Sequence, residues 1–275
     1  MTLTELPGAL QRFRVSSNKF EKLIRLVVPK PYREKTLQRF RRALYRGNQY
    51  DCPCCLGAFS QFLPFGVKTR RVNAQCPGCN SLERHRLLWL YMQQRFLKIT
   101  AWIDKPKTLL HIAPERIFQN LFQSLPNTDY VSLDLCCPRA MIHCDLEKIT
   151  LPDSAVDFIF CNHVLEHVNN DRQAMRELFR VLKPGGFAVI QVPIDTTRQI
   201  TLEDPAYNTP ELRTEFYGQP DHLRMYGTDY PQRLEEAGFK VTPEQYAFEL
   251  DPNDYERYRI SPEIIYLCSK PESYF

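Results

Sequence analysis

Two short cysteine motifs near the N-terminus constrain the fold of this 275-residue chain more than any other feature. Each begins with Cys-Pro, and together they give the spacing C-x2-C-x20-C-x2-C through Cys52, Cys55, Cys76 and Cys79. Tight turns of this kind direct four thiolates to one point, which is the tetrahedral arrangement that zinc requires. Because four thiolates leave no position for water, the spacing predicts a structural zinc site. Cys54 does not fit the spacing and is assigned no metal role.

Charge is distributed unevenly along the chain. Residues 1–100 carry 19 Lys and Arg against 5 Asp and Glu, whereas residues 101–275 carry 17 against 27. The basic half suits an anionic partner, either RNA or a membrane surface, or it docks on the acidic half of the same chain. No run of 18 apolar residues and no secretory leader pattern occurs. We therefore expect a cytoplasmic protein with no transmembrane segment, which can contact a membrane peripherally.

The N-terminal hundred residues divide into two predicted segments. Residues 1–50 predict a basic helical segment that is interrupted at the Pro29-Lys30-Pro31 sequence. Residues 51–100 predict the zinc module, followed by a linking helix with Ser81 as its N-cap. His85 is an alternative zinc ligand by residue type, but we place it on the polar face of that helix.

Short apolar segments alternate with amphipathic helical segments over residues 101–275, which we treat as one domain. Strands are expected over residues 108–113, 130–134, 140–145, 156–161, 187–192, 240–248 and 264–269. This alternation predicts a doubly wound α/β sheet with helices on both faces. The Lys183-Pro184-Gly185-Gly186 sequence is expected to form a turn between a helix and the fifth strand. Residues 194–228 are irregular and too long for a plain connection, so they predict an active-site lid.

Polar side chains follow three of the predicted strands, at the edge where ligands bind in a doubly wound sheet. Asp134 closes the second strand, where a carboxylate can accept hydrogen bonds from both hydroxyls of a ribose. Asp145 closes the third, where it can accept one from an adenine amine. Asn162 and His163 follow the fourth strand. Helix capping is the alternative role for either acid taken singly.

Residues 107–270 resemble a class I S-adenosylmethionine-dependent methyltransferase of the type 11-like group. The stretch that carries the resemblance is CDLEKITLPDSAVDFIFCNHVLEHVNNDRQAMRELFRVLKPGGFAVIQVP, residues 144–193. The cysteine-rich part resembles an N-terminal zinc module that is fused to some bacterial methyltransferases of this type. The resemblance implies a Rossmann-like seven-stranded sheet, S-adenosylmethionine as cofactor and a structural zinc ion in a zinc-ribbon-like module.

Eight residues are the cofactor contacts that follow from the strand ends and this resemblance: His111, Ala113, Glu115, Asp134, Leu135, Asp145, Leu146 and Asn162. The chain departs from the family at the first motif, which is usually acid-x-Gly-x-Gly. Here the sequence is His111-Ile112-Ala113-Pro114-Glu115, without a glycine. Ala113 takes the place of one glycine, His111 replaces the acid, and Glu115 can supply the missing negative charge.

The resemblance implies transfer of a methyl group to an oxygen or nitrogen acceptor. His163 and His222 are the predicted catalytic bases. His222 lies within a segment that resembles an H-x-R-x-Y lid motif. Glu166 and His167 are further candidates, for which packing or helix capping is an equally good role. We favour a saccharide or other small acceptor, which would stack on the lid tyrosines Tyr207, Tyr217, Tyr226 and Tyr230. RNA is the alternative acceptor, and a catalytically inactive scaffold is the second alternative.

Overall fold

The computed structural model describes residues 19–272. The first 18 residues of the predicted basic segment therefore lie outside the described residues. Residues 19–27 are helical, and helix α1 spans Lys30–Leu44, with the expected interruption at Pro29 and Pro31. No helix among residues 19–272 combines the length and the apolar character needed to cross a bilayer.

Two small antiparallel sheets form the cysteine-rich module. Strand β1 (Arg46–Cys52) pairs with β2 (Gly57–Phe59), and β3 (Leu63–Phe65) pairs with β4 (Arg71–Gln75). Residues 46–50 are thus strand where a helix was expected. The buried core of this module is small and includes two of the cysteines: Tyr45, Cys52, Phe59, Phe62 and Cys76.

A helical segment links this module to the large sheet. Helix α2 (Glu83–Tyr91) continues as a π-helix (Met92–Phe96), a short α3 (Leu97–Ile99) and a 3-10 turn (Trp102–Asp104). The prediction that Ser81 is the N-cap is wrong, because Leu82 occupies that position. The Ser81 hydroxyl instead lies 3.2 Å from the Cys52 sulfur.

Seven strands form the large sheet in the order β10-β11-β9-β8-β5-β6-β7, which confirms the predicted α/β class. Their bounds are Lys107–Ile112, Thr128–Asp134, Ile142–His143, Val156–Asn162, Leu182–Gln191, Lys240–Glu244 and Ile265–Ser269 for β5 to β11. Strands β5 to β9 pair with one another in parallel, and β11 is antiparallel to both β9 and β10. Chain connections run outward in opposite directions from β5 and β8, which makes their carboxyl ends the switch point.

Helices cover both faces of the sheet, as expected for a doubly wound fold. Helices α4 to α9 have the bounds Arg116–Gln123, Asp171–Val181, Pro210–Tyr217, Tyr230–Glu236, Tyr246–Glu249 and Pro252–Tyr258; α4 packs on one face of the sheet, and α5 and α7 on the other. Leu110 and Ile112 of β5 pack on the face that α5 covers, whereas Leu109 packs on the face that α2 and α4 cover. This alternation follows from the two-residue period of a strand.

Three local predictions are wrong. The strand expected at residues 140–145 is only two residues long, because the Asp145 carboxylate accepts a hydrogen bond from the Glu147 N–H (2.9 Å) and turns the chain. The strand expected at residues 240–248 ends at Glu244. The expected turn after α5 does not form, since the chain enters β9 directly at Leu182. Gly185 adopts φ +75° within that strand, where its pairing with β8 shifts register.

Arg86 joins the cysteine-rich module to the far end of the described chain. Its guanidinium is fully buried and donates to the carbonyl oxygens of Ala74 and Ser81. The same group donates to the carbonyl oxygens of Tyr258 and Arg259, at 2.5 and 2.9 Å. A buried cation with four acceptors is well satisfied, so it holds the two regions together.

The segment predicted as a lid, residues 194–228, contains α6 and is tied down by Arg224. This side chain is buried and donates to the carbonyl oxygens of Leu165 and Val168 at 2.7 and 2.6 Å. It also forms an ion pair with Glu203, at 2.7 Å. These contacts fix the segment over the loop that follows β8.

Candidate active site

The four predicted zinc ligands converge on one point. The sulfurs of Cys52 and Cys79 lie 3.6 Å apart and those of Cys55 and Cys76 lie 3.8 Å apart. All four ligand atoms lie within 4.8 Å of one another, and none of these cysteines forms a disulfide. A tetrahedron with 2.3 Å metal–sulfur bonds separates its sulfurs by about 3.8 Å, so the cluster fits zinc.

His85 lies between the cysteine cluster and the large sheet, not on a polar face as predicted. Its side chain is only 9% exposed, and Nδ1 accepts a hydrogen bond from the Leu82 N–H at 3.1 Å. Burial lowers the pKa of His85 despite the neighbouring Glu115, so the ring is neutral at neutral pH. Because Nδ1 accepts, the single proton lies on Nε2, which is 2.8 Å from Glu115 Oε1.

Glu115 connects His85 to the end of β8. Its Oε2 accepts a hydrogen bond from Asn162 Nδ2 at 2.7 Å, which brings together two of the predicted cofactor residues. Burial opposes ionisation, but His85, Arg84 and the Asn162 bond outweigh it and lower the pKa of Glu115 to about 2. Asn162 Oδ1 is buried and has no hydrogen-bond partner among residues 19–272. A ligand donor that reaches the switch point would meet this oxygen.

The structure places His111 away from these residues, in the core. It is fully buried in β5, and its Nδ1 lies 3.1 Å from the Tyr130 hydroxyl. Aromatic rings surround it edge-on, with centroids 5.3 Å (Phe122) and 5.4 Å (Phe160) away. Burial lowers the pKa of His111 to about 4, so it is neutral. These contacts are those of a core residue.

Asp134 lies at the carboxyl end of β6, as predicted. Its Oδ1 accepts hydrogen bonds from the N–H groups of Cys136 and Cys137, at 2.8 and 2.6 Å. These two bonds hold the turn after the strand and leave Oδ2 for a ligand. Leu135, the next residue, is 68% exposed beside the same edge.

The other predicted pair, Asp145 and Leu146, separates into an exposed and a buried residue. Asp145 is exposed in the turn described above. Leu146 is 5% exposed and belongs to the core on the face of α5. Only the Asp145 side chain is thus available to a ligand from solvent.

His163 follows Asn162 and adopts φ +55°, a conformation that turns the chain out of β8. Its Nδ1 lies 3.2 Å from Oε1 of Glu166, a carboxylate that is fully buried. Burial opposes the ionisation of Glu166, but its contacts with His163 and His167 outweigh that effect and lower its pKa. The carboxylate is therefore ionised, and its Oε2 has no hydrogen-bond partner within the described part of the chain.

His222 and His167 lie on the other side of Glu166. Their rings meet edge to face with centroids 4.8 Å apart. His222 is 3% exposed, and burial lowers its pKa. Three of the four lid tyrosines, Tyr217, Tyr226 and Tyr230, are buried in the core and cannot reach an acceptor. The prediction that those three stack on a sugar ring is wrong.

Residues 90–190, which span β5 to β8 and nearly all of β9, match the family described as a methyltransferase domain. The chain contains a methyltransferase domain. Ligands of a doubly wound sheet bind at the carboxyl ends of its strands. Glu115, Asp134 and Asn162 lie at or just beyond such ends.

Three curated relatives of the methyltransferase domain are informative. A protein named "Probable S-adenosylmethionine-dependent methyltransferase" from Mycolicibacterium smegmatis is 35% identical over 38% of this chain and 37% of its own length. A malonyl-[acyl-carrier protein] O-methyltransferase from Marinomonas is 27% identical over 47% of this chain and 38% of its own length. A trans-aconitate 2-methyltransferase from Rhizobium rhizogenes is 27% identical over 51% and 46%. The chain thus spans less than half the length of these relatives.

Solved structures show lower similarity. An S-adenosylmethionine-dependent methyltransferase from Mesorhizobium loti is 15% identical, with a TM-score of 0.43 over 63% of this chain and 94% of the other. A second one, from Aquifex aeolicus, is 16% identical, with a TM-score of 0.40 over 64% and 86%.

Two groups of contacts in and beside the methyltransferase domain were not predicted from the sequence. The first is the contact of His85 with Glu115, and the second is the grouping of Glu166, His167 and His222. The Glu-His pair is visible in the V-L-E-H motif, but its third member is 55 residues further along the chain. The His85 contact depends on the docking of α2, for which no sequence pattern exists.

Ala113 in the first motif of the methyltransferase domain adopts φ +48°, a left-handed conformation that glycine tolerates better. We expect Ala113→Gly to raise the free energy of unfolding by about 0.5–1 kcal/mol, because relief of strain exceeds the entropy that glycine adds to the unfolded chain. Urea unfolding measures the change. As a matched control, Ala174→Gly in the buried interior of α5 should lower stability by about 1 kcal/mol or more. A loss of stability in Ala113→Gly would contradict the strain.

Proposed function

We propose that this protein transfers a methyl group from S-adenosylmethionine to an oxygen or nitrogen of a small acceptor. The observation that carries the proposal is the match of residues 90–190 to a methyltransferase domain with polar groups at its switch point. Asp134 Oδ2 suits the ribose hydroxyls, and the unpartnered Asn162 Oδ1 suits the cofactor's amino group. Glu115 keeps the Asn162 amide oriented through its hydrogen bond.

S-adenosylmethionine supplies an activated methyl group on its sulfonium, so the protein has chiefly to align the acceptor and exclude water. Of the two predicted bases, we propose that His163 removes the acceptor's proton. It lies one residue beyond Asn162, and its Nε2 is buried with no hydrogen-bond partner in residues 19–272. The Glu166 carboxylate beside Nδ1 would hold the proton on that nitrogen and stabilise the charged ring after transfer.

We propose that the four-cysteine cluster holds a structural zinc ion. The module's own core is a few side chains around Phe59 and Phe62, which is too little to keep it folded. Metal binding would supply the missing stability.

A small acceptor is favoured over RNA. One relative is named for trans-aconitate, a small carboxylic acid, and this supports a small acceptor by similarity; another is named for malonyl-[acyl-carrier protein], in which a protein carries the small acid. RNA stays the alternative because of the basic N-terminal half. A scaffold role would follow if the chain bound no cofactor.

The helical residues near the N-terminus support a membrane surface as the anionic partner. Basic side chains there alternate with exposed apolar ones, and Leu26 and Val27 are 80% and 69% exposed. RNA contacts would not need such apolar exposure, whereas an interfacial helix does.

Methyl transfer from labelled S-adenosylmethionine to a panel of small hydroxy acids, amines and saccharides tests the proposed reaction. We expect turnover with one acceptor class, reduced about 10²–10⁴-fold in His163→Ala because a general base is lost. His143→Ala is the matched control, since His143 is exposed and outside this group. Full turnover in His163→Ala would disprove the role of His163. Transfer to RNA alone would replace the small acceptor by the alternative.

A further inference from the structure

A buried carboxylate and two imidazoles lie together beside the loop after β8. Ligand atoms of Glu166, His167 and His222 all lie within 4.8 Å of one another. They come from two segments, the turn after β8 and the lid. Two contacts hold these segments together: Arg224 donates to the Leu165 carbonyl oxygen, and the Leu223 N–H donates to the Glu166 carbonyl oxygen at 2.8 Å. The grouping therefore depends on the fold and not on adjacent positions in the sequence.

The protons of both imidazoles are assigned by their outer contacts. His222 Nδ1 lies 3.0 Å from the Tyr217 carbonyl oxygen, and His167 Nδ1 lies 3.3 Å from the Asp221 carbonyl oxygen. A carbonyl oxygen can only accept, so in each neutral ring Nδ1 carries the proton and Nε2 carries the lone pair. His167 Nε2 lies 4.0 Å from Glu166 Oε1, and Nε2 is the nitrogen of His222 that is left free to bind a ligand.

Two atoms on the inner side of this group have no hydrogen-bond partner among the described residues. Glu166 is fully buried; its Oε1 faces His163 Nδ1 at 3.2 Å, whereas its Oε2 has no partner. His222 Nε2 is likewise buried and unpartnered within residues 19–272. A buried carboxylate oxygen and a buried imidazole nitrogen without partners are costly, and a cation between them would satisfy both.

We infer that Glu166, His167 and His222 form a second metal site, for a divalent transition ion. One carboxylate with two imidazoles is a ligand set that suits Zn²⁺, Co²⁺ or Fe²⁺ and leaves positions open for another ligand. Imidazoles whose outer N–H binds a carbonyl or carboxylate are typical of metal ligands, and Asp221 Oδ2 also lies 3.4 Å from His167 Nδ1. His163 stays outside the ligand set, with its Nδ1 next to Glu166.

The place of the site gives the ion a role. It lies in the loop that begins at His163, directly after Asn162 at the switch point. An ion with open positions there would bind an acceptor's hydroxyl or carboxylate and lower the pKa of a bound hydroxyl. Acceptors with two adjacent oxygen ligands would gain most from this contact.

Cobalt titration of the full-length protein loaded with one equivalent of zinc, without cofactor or acceptor, tests the site independently of the proposed reaction. Zinc binds thiolates more tightly than cobalt, so the four-cysteine cluster keeps its zinc. We expect one Co²⁺ per chain, with visible bands of a nitrogen and oxygen site and no thiolate charge-transfer band. Glu166→Gln and His167→Ala should each raise the dissociation constant at least tenfold.

His143→Ala is the control, because it removes an exposed histidine outside the group. Its titration should match that of the unaltered protein. His167 is the most exposed of the three proposed ligands, with 35% of its side chain accessible, so His167→Ala keeps the test valid if the buried Glu166→Gln variant misfolds. Absence of a cobalt spectrum, or equal binding by a folded His167→Ala variant, would overturn the second metal site.

Discussion

Replacing Cys79 by serine should weaken the binding of S-adenosylhomocysteine at a site that Cys79 does not touch. Loss of one thiolate should release the zinc ion proposed for the cluster and unfold the cysteine-rich module, whose core is small. The Ser81 hydroxyl lies 3.3 Å from the Cys79 sulfur, and the Ser81 carbonyl accepts the Cys76 N–H at 2.8 Å. Helix α2 starts two residues later, so its first turn depends on the folded module.

The first turn of α2 carries His85, and this is how the effect reaches the cofactor site. Without His85, Glu115 loses the partner 2.8 Å from its Oε1 and no longer orients the Asn162 amide in the same way. A hydrogen bond to a charged group is worth about 1.5–3 kcal/mol, so we expect affinity to fall about 10–100-fold. Calorimetry gives the affinity, and elemental analysis gives the zinc content.

Two further variants separate the steps of this coupling. Cys54→Ser is the matched control, because Cys54 is a neighbouring cysteine outside the proposed ligand set. It should keep both zinc and affinity. His85→Gln should keep zinc and lose affinity. If Cys79→Ser loses zinc but binds S-adenosylhomocysteine as tightly as before, the two sites are independent.

Changing Asp134 to alanine should abolish measurable binding of S-adenosylhomocysteine. The variant loses two contributions, the acceptor that holds the turn after β6 and the oxygen proposed to bind the ribose. Two hydrogen bonds to a charged group together contribute about 3–6 kcal/mol, so affinity should fall at least 100-fold. Calorimetric titration at fixed zinc content measures the loss.

The asparagine variant distinguishes the two contributions. Asp134→Asn keeps an oxygen for the Cys136 and Cys137 N–H groups but removes the charge, so it should retain the fold and lose part of the affinity. Asp129→Ala is the control, since Asp129 is exposed near the opposite end of the same strand. Binding that survives in Asp134→Ala would move the cofactor away from β6.

How much of this structure could be predicted depends on the range of the interactions. The cysteine spacing and the strands of the sheet are local patterns, and both were predictable. The short length of β7 could not be predicted, because a hydrogen bond that the Asp145 carboxylate accepts competes with strand pairing. The direct passage of the chain from α5 into β9 could not be predicted either, since the irregular register of β9 depends on its pairing with β8. Strand ends are decided by such tertiary contacts more than by propensity.

The candidate site divides in the same way. Asp134, Asn162 and His163 could be placed because residues after parallel strands share one edge of a sheet. His111 could not, because whether a strand residue faces a ligand or an aromatic core depends on which helix covers it. The positions of Glu115 and His85 depend on the docking of α2, which brings residues 30 positions apart into contact.

The buried guanidinium of Arg86 sets an order of events during synthesis. The cysteine-rich module leaves the ribosome before the large sheet, and units nearer the N-terminus generally fold first. Two of the four carbonyl oxygens that Arg86 binds belong to residues 258 and 259, which emerge more than 170 residues later. Until then two of the four hydrogen bonds of this guanidinium cannot form. A chain stalled in the middle of translation would therefore hold an incomplete interface, which makes it a natural substrate for chaperones.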